Sequence, residues 1–563
     1  MTSACCAARG GRWVITLATV VGVAVSCLAA RAASAAAKET FPPVRPATVY
    51  TRDNAPAAPK AEDLPLKETV SMYGITWTFE KKVPVGQFVN GEFYVVGPVK
   101  VVAIDPKPVI DKDVPEDQIN AKEAAYLKGK PFARNGSMLN LLSARDKAGK
   151  LDLHVGFDSR IRHNWFEKSA FRAPPIGLKP GDALVSSISM NKGEKVKRID
   201  GQGGAGEMVK PTKIFAVLTC LADPVPADAF RPSYADRRQK IYLARDLRRE
   251  LLPSMEPSKD APPLEQYVDM FQRPWTDVLP FTNAAAIRNM PQYGREVGRH
   301  AGLGALLLCL NYKPAEKEAL LDNYVQVGID LWGVVRAGYH GWPATGGHAF
   351  GRKLPIVLAG WLFNDEDMMN PYRKFPNVRF GEDMQTMYGD GWTGAKALYA
   401  GHAGLRAERP DGWGNYEHLT PDKWIAELGE GYRRCCTASA WVNEALAMRL
   451  LKMEKVWNHD AFFDYCDRWM FEDDSAFTPI VRDQFKFKNK AAADGWYEMA
   501  TKKTWAMQGQ TWDPFVDAMW AKYRTAPGMP PTDGWKTKKP NRDEYLRNST
   551  AKDAPPAGAA DEK

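Results

Sequence analysis

Residues 339–363 read YHGWPATGGHAFGRKLPIVLAGWLF, and the rest of the chain is organised around this stretch. The apolar run at 353–363 predicts a buried helix, with Pro355 in the first turn, where proline is tolerated. Glycine and proline interrupt the segment before it and predict a loop. A loop with several chemically active side chains that leads into a buried helix is typical of a functional site in a helical domain.

His348 and Arg352 are the candidates for chemistry in this loop. They are four positions apart in the sequence, so they lie on about one face at the N-terminal end of the predicted helix. Free N–H groups and the helix dipole favour an anion at such an end. Trp342 is suited to stack on a sugar ring, and both Trp342 and His340 are candidate substrate-binding residues. The structural alternative is a glycine-rich turn between helices, capped by a histidine.

From about residue 234 onward the apolar pattern is helical. Long loops rich in glycine and tryptophan separate the helices, and no repeat of fixed period is visible, which argues against a coiled coil or a short-repeat solenoid. The pattern is typical of an α/α toroid, an incomplete barrel of helical hairpins, over residues 229–528. The predicted helices are 234–252, 264–271, 295–311, 315–337, 353–363, 432–453, 459–471 and 512–523.

Residues 70–228 are predicted to form a β-rich, sandwich-like domain, which makes the chain an α+β multidomain protein. Apolar and polar residues alternate over 73–79, and Asn90-Gly91 is a hairpin turn signal followed by further strand-like runs. The other strand-like segments are 93–96, 99–104, 182–190 and 213–221.

The N-terminal 35 residues have the form of a secretory signal peptide. Arg9 and Arg12 precede an apolar run over 13–28, and Ala33-Ser34-Ala35 is a small-residue cleavage site. No other run is apolar enough to span a bilayer. We therefore predict a mature chain that is secreted, periplasmic or on the cell surface, with a lipoprotein anchor at Cys27 as the alternative. The remaining segments are a flexible leader at 36–69 and a disordered tail at 529–563.

The charge of the chain is mildly basic. The signal peptide holds three arginines and no acid, so its removal lowers the formal net charge from +9 to +6. This excess suits a protein that handles acidic glycans, and an ordinary solvated surface explains it equally well. No dense block of Lys and Arg with interleaved aromatic residues occurs, which argues against a nucleic-acid partner. The cysteines lack metal-binding spacing, and we predict no cofactor and no metal.

Three further clusters combine polar and aromatic residues in predicted loops or at helix starts of the helical half. Their tryptophans and tyrosines are expected as platforms under pyranose rings, and the alternative is that they fill a large helical core. The first cluster holds Asn289, Tyr293 and His300, the second Asp390 and Trp392, and the third Trp413, Glu417, His418, Tyr432 and Arg433.

β-Elimination of a uronic acid polymer is the reaction that these residue types favour. It needs a group that neutralises the carboxylate, a base for the adjacent C–H proton and an acid for the leaving oxygen. The candidates are His348 or His418 as the base, Tyr432 as the acid, and Arg352 or Arg433 as the neutraliser.

Two other hypotheses stay open. Glycoside hydrolysis needs two carboxyl groups that flank the bond, and Asp390 and Glu417 are available for it. A non-catalytic scaffold that binds glycan or lies on the cell surface is the third hypothesis.

The run Gly346-Gly347-His348 … Gly351-Arg352-Lys353 … Pro355, with the later run Phe380-Gly381-Glu382-Asp383 … Gln385-Thr386, resembles a group of large secreted bacterial proteins of uncertain activity. Their layout is similar to that of α/α-toroid polysaccharide lyases. The resemblance covers about residues 280–470. It implies a toroid fold, an acidic polysaccharide as substrate, and a His/Tyr pair with an Asn or Arg neutraliser, which His348, Tyr432 and Arg352 match by residue type.

Overall fold

The computed structural model describes residues 46–111, 119–196, 199, 204–205, 210–236, 238–258, 261–401, 416–424, 426–476, 480, 508–511 and 513–537. The predicted signal peptide, with Cys27, and most of the predicted tail lie outside these residues. Within them the protein is a mixture of α and β structure, in which the strands of one large sheet precede the longer helices.

The strands carry the first part of the fold. They are β1 (Leu66–Met72), β2 (Ile75–Gln87), β3 (Phe93–Val96), β4 (Val99–Asp105), β5 (Val109–Asp111), β6 (Phe132–Arg134), β7 (Ser137–Leu139), β8 (Ile176–Leu178), β9 (Ala183–Ser189), β10 (Lys195–Val196), β11 (Gly204–Ala205), β12 (Thr212–Leu221), β13 (Gly341–Trp342), β14 (Arg379–Phe380), β15 (Thr386–Tyr388) and β16 (Ala397–Tyr399).

The α-helices dominate the second part. They are α1 (Ala121–Tyr126), α2 (Leu264–Gln272), α3 (Gly294–Leu308), α4 (Pro314–Arg336), α5 (Lys353–Phe363), α6 (Glu366–Met369), α7 (Gly381–Gln385), α8 (Ala438–Leu450), α9 (Glu454–Trp457), α10 (Asp460–Phe471), α11 (Pro514–Tyr523) and α12 (Gly534–Thr537). Two wide-turn π-helical segments, Ala426–Gly431 and Arg433–Thr437, precede α8.

The large sheet curls because one long strand serves both of its halves. Its order is β7-β9-β12-β3-β2-β4-β8, with β1 also paired to β2. The first part of β2 pairs with β1 and β4, and its end pairs with β3. Trp77 of β2 reaches across the enclosed core, where its indole N–H donates to Ser186 Oγ of β9 at 3.0 Å. The β-rich character predicted for this part of the chain is confirmed.

Glycines allow the long helices of the second part to pack closely. Helix α3 packs against α8, and α4 packs against α5. A Cβ added at Gly302 of α3 would lie 2.5 Å from Asn443 Cβ of α8. A Cβ added at Gly328 of α4 would lie 2.3 Å from the carbonyl oxygen of Pro355 in α5. Both distances are far below van der Waals contact, so larger residues would force the helices apart.

A buried arginine joins the sheet to the helices. Arg231, which is fully buried, forms an ion pair with Asp330 of α4 at 2.6 Å and a second one with Glu92 from the β2–β3 turn. One continuous hydrophobic cluster also contains Phe215 of β12 and Leu303 of α3. The two parts of the chain therefore share a core.

The helix predicted at 234–252 is wrong. The described residues of this segment form turns and irregular chain with two short 3-10 helices, Ala244–Asp246 and Arg249–Leu251. Its polar side chains bind different elements: Tyr242 Oη donates to Asp365 at 2.8 Å, and Arg249 Nε donates to Glu318 at 3.0 Å. These long-range contacts outweigh the helical pattern of the sequence. The other predicted helices occur within a few residues of their expected bounds, apart from the π-helical start before α8.

The described helices contain none that combines the length and the apolar character needed to cross a bilayer.

Candidate functional site

His348 lies at the centre of a half-exposed site in the loop that precedes α5. Its imidazole contacts the ring of Phe281 at 4.9 Å and the ring of Tyr293 at 4.7 Å between centroids, both nearly at right angles. The backbone N–H of His348 donates to the carbonyl oxygen of Thr345 at 3.1 Å, which closes the turn. Two aromatic edges therefore fix the orientation of the imidazole while part of the residue stays accessible to solvent.

Close backbone packing brings two further loops to His348. A Cβ added at Gly347 would lie 2.4 Å from Tyr293 Oη and 2.8 Å from the carbonyl oxygen of Cys436. Cys436 lies one helical turn after Tyr432, which is itself half-exposed. The tight turn thus places the start of α3 and the π-helical segment beside the same loop. We call Phe281, Asn283, Tyr293, Arg295, His348 and Tyr432 the His348 site.

The loop that carries Phe281 has a strained backbone. Thr276, Phe281 and Thr282 have φ values of 52°, 59° and 58°, in the left-handed region that residues other than glycine seldom adopt. Each such residue costs about 1 kcal/mol or more and persists only when its surroundings hold it. Lys210 contributes here, because its ammonium group donates to both Thr282 Oγ1 and the carbonyl oxygen of Gln292. Strain of this kind is concentrated at functional sites.

Asn283 follows the strained residues and is only 1% exposed. Neither the amide nitrogen nor the amide oxygen of its side chain has a hydrogen-bond partner among the described residues. A buried amide without partners costs stability and is rare in folded proteins. Sequence reasoning missed Asn283 and Phe281, since nothing in the string Pro280-Phe281-Thr282-Asn283 separates them from an ordinary turn.

The charges at the start of α3 are arranged in pairs. Arg295 lies over the ring of Tyr293 at 5.4 Å and forms an ion pair with Glu296 at 2.6 Å. Arg299 pairs with Asp513 at 2.9 Å. Burial raises the pKa of Glu296, but the charges of Arg295, Arg299 and His300 outweigh it and lower the pKa to about 2. Glu296 therefore stays ionised and holds Arg295 beside Tyr293 at any pH near neutrality.

The two predicted neutralising arginines are fully buried and engaged. Arg352 Nε pairs with Asp277 at 2.6 Å, and its Nη1 donates to the carbonyl oxygen of His348 at 3.3 Å. Arg433 pairs with Glu430 at 3.1 Å, and its Nε donates to Tyr465 Oη at 2.8 Å. A substrate carboxylate would have to displace a buried ion pair to reach either guanidinium, which is costly. Arg352 instead fastens the backbone of His348.

Other predicted substrate-binding residues are buried away from the His348 site's surface. Trp342 stacks on Phe380 with 6.0 Å between centroids. Asn289 donates to the carbonyl oxygens of Met270 and Arg273 at 3.2 and 3.0 Å. His300 Nδ1 lies 2.9 Å from Tyr267 Oη. The structure uses these three side chains to hold helices and loops together. His340 lines a separate cavity.

The residues predicted around the β15–β16 hairpin divide into exposed and buried ones. Trp392 is 49% exposed at the hairpin tip, and its backbone N–H donates to the carbonyl oxygen of Glu417 at 2.7 Å. The exposed Asp390 pairs with Lys396, and His418 is exposed. The carboxylate of Glu417 is buried against Arg468 at 2.8 Å. Trp413 lies outside the described residues.

A pair of buried glutamates lies beneath the loop of His348. Glu382 Oε1 accepts a hydrogen bond from the N–H of Gly351 at 2.6 Å. A Cβ added at Gly298 would lie 2.9 Å from Glu444 Oε1 and 3.6 Å from that same N–H, which places Glu444 beside Glu382. Burial raises the pKa of Glu382 to about 7. Burial and then the charge of Glu382 hold the pKa of Glu444 well above its ordinary value.

Among the described residues no group of three or more His, Cys, Asp or Glu side chains is placed to hold a metal ion. Scans against models of protein families and searches among curated proteins and solved structures found no match to the chain. Function therefore has to be argued from the chemistry of the site.

Proposed function

We propose that the protein is a secreted lyase that cleaves an acidic, uronate-containing polysaccharide by β-elimination at the His348 site. The observation that carries this proposal is the setting of His348: the residue is partly exposed, and its imidazole lies between the rings of Phe281 and Tyr293. The loop of Phe281 also holds Asn283, whose buried amide has no hydrogen-bond partner among the described residues. These groups are the base, acid and carboxylate-binding types that the reaction requires.

In the proposed reaction His348 takes the proton from the carbon next to the uronate carboxyl group. Tyr432 or Tyr293 gives a proton to the glycosidic oxygen as its bond to the sugar breaks, and a carbon–carbon double bond forms. The products are an unsaturated uronate at one new end and an alcohol at the other. Histidine is a common general base in enzymes that work near neutral pH.

The carboxylate-binding role passes from the predicted arginines to other groups. Arg352 and Arg433 are buried in ion pairs, whereas Asn283, which is equally buried, has donor capacity that no described residue uses. A substrate carboxylate reaches this amide only if the strained loop at 281–282 shifts when substrate binds, but no ion pair has to be broken. An amide that binds the carboxylate stabilises the negative charge that develops as the proton leaves. Arg295, held by Glu296 over Tyr293, adds a positive charge at the same place.

We further infer that the helices form an incomplete α/α toroid and that the curled sheet is a sandwich-like domain. The pairs α3–α8 and α4–α5 support this inference, since each is a closely packed couple of long helices. The loops that meet at His348 come from the starts of α3, α5 and α8, which suits a cleft at one end of such a barrel. Secretion is proposed from the signal-like sequence at 1–35.

Trp392 is the proposed platform for a sugar unit away from the bond that breaks. The base of its hairpin lies near the His348 site, because Tyr399 of β16 is close enough to Tyr432 for the two side chains to interact electrostatically. The exposed indole is free to stack on a pyranose ring. A polymer that extends from His348 along the hairpin would meet it.

Hydrolysis by Asp390 and Glu417 has less support. Glu417 is buried against Arg468, and Asp390 is exposed and paired with Lys396. Hydrolysis needs both carboxyl groups at the glycosidic bond, and the buried Glu417 is not accessible to it.

The test is turnover by variants of the mature chain on a polysaccharide that the wild type cleaves. We expect His348→Ala and Asn283→Ala each to lower the elimination rate by about 100-fold or more. Tyr432→Phe and Tyr293→Phe identify the acid, since only the proton donor should lose comparable activity. The matched control is His154→Ala, an exposed histidine of the β-rich part. Equal rates for His348→Ala and the control would refute the assignment.

A further inference from the structure

A cavity whose lining contains no residue of the His348 site lies between the β-rich part and the helical part. Its volume is about 370 Å³, within the range of small-molecule pockets. One side is formed by the loop at 150–153, and the other by 338–340 and 374–378. A space of this size holds a ligand of about one sugar or aromatic ring.

The cavity wall carries positive charge that acidic residues neutralise only in part. Lys150, His340 and Lys374 line the cavity, and none of the described residues in its wall is acidic. Lys374 is paired with Asp367, whereas Lys150 has no ion-pair partner among the described residues. The guanidinium of the neighbouring Arg145 donates hydrogen bonds to the carbonyl oxygens of residues 142, 144 and 337. Lys150 is thus the cation that lacks a carboxylate.

His340 offers a second polar group. Its imidazole forms no hydrogen bond with another described residue, while its backbone carbonyl accepts from Arg379 N at 3.0 Å. Burial and the charge of Lys150 lower the pKa of His340 to about 4. A neutral imidazole has one N–H to donate, and it would do so to an acceptor that also meets Lys150. A carboxylate satisfies both groups at once.

The rest of the wall is mainly apolar, with Asn377 as a further polar residue. Leu151 and Leu153 line one side, and Tyr339 and Phe375 line the other. Such walls favour the flat or weakly polar face of a ring and oppose a small hydrated anion such as chloride. The cavity therefore combines a cationic end with ring-sized apolar walls.

We propose that this cavity binds a small carboxylate attached to a ring, with the carboxylate at Lys150 and His340 and the ring against the leucines and Phe375. Two sources supply this chemistry: a hexuronate monosaccharide and an aromatic acid. The site does not depend on the lyase activity proposed above, because none of its lining residues belongs to the His348 site.

The test is isothermal titration calorimetry on the full chain with glucuronate and with benzoate. Glucose and benzyl alcohol are the neutral counterparts. We expect at least one carboxylate to bind and its neutral counterpart to bind at least fivefold more weakly. Binding of glucuronate alone assigns the site to a sugar acid, and binding of benzoate alone assigns it to an aromatic acid. Equal binding of the neutral counterpart, or no binding of either acid, would overturn the proposal.

Variants locate the binding site. Lys150→Gln should weaken carboxylate binding about five- to tenfold, whereas Lys147→Gln, an exposed lysine of the same loop outside the cavity, should not change it. His348→Ala should also leave this affinity unchanged, which separates this site from the His348 site. A second readout is the NMR titration of His340, whose pKa should rise when the carboxylate is bound. An unchanged affinity in Lys150→Gln together with an unshifted His340 would refute the assignment.

Discussion

Glu382→Gln should stabilise the protein at neutral and alkaline pH, although it removes a charge from the interior. The cluster under the His348 loop holds two cations and four acids. Arg352 pairs with Asp277 at 2.6 Å, and Lys353 pairs with Asp383. The remaining two acids, Glu382 and Glu444, have no cation of their own in this cluster. They are buried side by side. Either one or both are protonated, or an unpaired buried charge lowers the stability of the fold.

The magnitude follows from the pKa of Glu382. Burial raises it from the ordinary value of 4.5 to about 7 in the folded chain. A raised pKa gives stability that is complete below pH 4.5 and is lost as the pH rises through 7. The whole loss is roughly 3 kcal/mol, of which about 2 kcal/mol falls between pH 5.5 and pH 8. Glutamine has no proton to lose, and its amide oxygen is still able to accept from Gly351.

The assay is urea unfolding followed by tryptophan fluorescence at pH 5.5 and pH 8. The free energy of unfolding of Glu382→Gln, minus that of the wild type, should increase by about 2 kcal/mol between the two pH values. Glu68→Gln on β1 is the matched control, since Glu68 is exposed and its substitution should give the same small difference at both pH values. A Glu382→Gln difference that stays constant or decreases with pH would show that Glu382 is ionised in the folded protein.

Three further outcomes are expected from the packing. Gly302→Ala should destabilise the protein by about 1 to 3 kcal/mol in urea unfolding, because its Cβ would lie 2.5 Å from Asn443 Cβ. Arg352→Met should cost about 3 to 5 kcal/mol by leaving Asp277 buried without its partner, and should displace the loop of His348. Burial raises the pKa of Cys309 to about 12, so its thiol should react with thiol reagents only when the protein unfolds.

Matched variants separate these mechanisms from general damage. Gly177→Ala on β8 has open space around its Cβ and should change stability by less than about 1 kcal/mol. Arg373→Met removes a half-exposed ion pair with Glu366 and should also cost less than about 1 kcal/mol. Costs for Gly302→Ala or Arg352→Met no larger than those of the controls would contradict the close packing and the buried ion pair. Rapid labelling of Cys309 in the native protein would contradict its burial.

Local patterns in the sequence predicted much of the fold. The apolar run at 353–363 forms α5 with the expected bounds, and the segments 182–190 and 213–221 match β9 and β12 to within one residue at each end. These elements are buried on most sides, so hydrophobicity and length alone define them. The segment 234–252 failed because its conformation depends on partners such as Asp365 and Glu318, which are far away in the sequence.

The candidate site was less predictable, since its important properties are long-range. Arg352 and Asp277 are 75 residues apart, and no pattern indicates that they form a buried ion pair. Glu382 and Glu444 come together only because α7 and α8 pack against the same loop and helix. Whether the Asn283 amide has a partner among the described residues depends on its surroundings in three dimensions, which the sequence does not show. The sequence indicated which residue types could form a site, but the exposure of each candidate residue depends on the tertiary structure.

The most direct test of the proposed activity is the ultraviolet absorbance of the unsaturated uronate during incubation with a panel of acidic polysaccharides. Wild-type protein and His348→Ala are measured in parallel at equal concentration. We predict that absorbance rises with time for the wild type on at least one polymer. The rate of this increase should be about 100-fold or more lower for the variant. New reducing ends without absorbance, or absorbance that His348→Ala leaves unchanged, would contradict elimination at the His348 site.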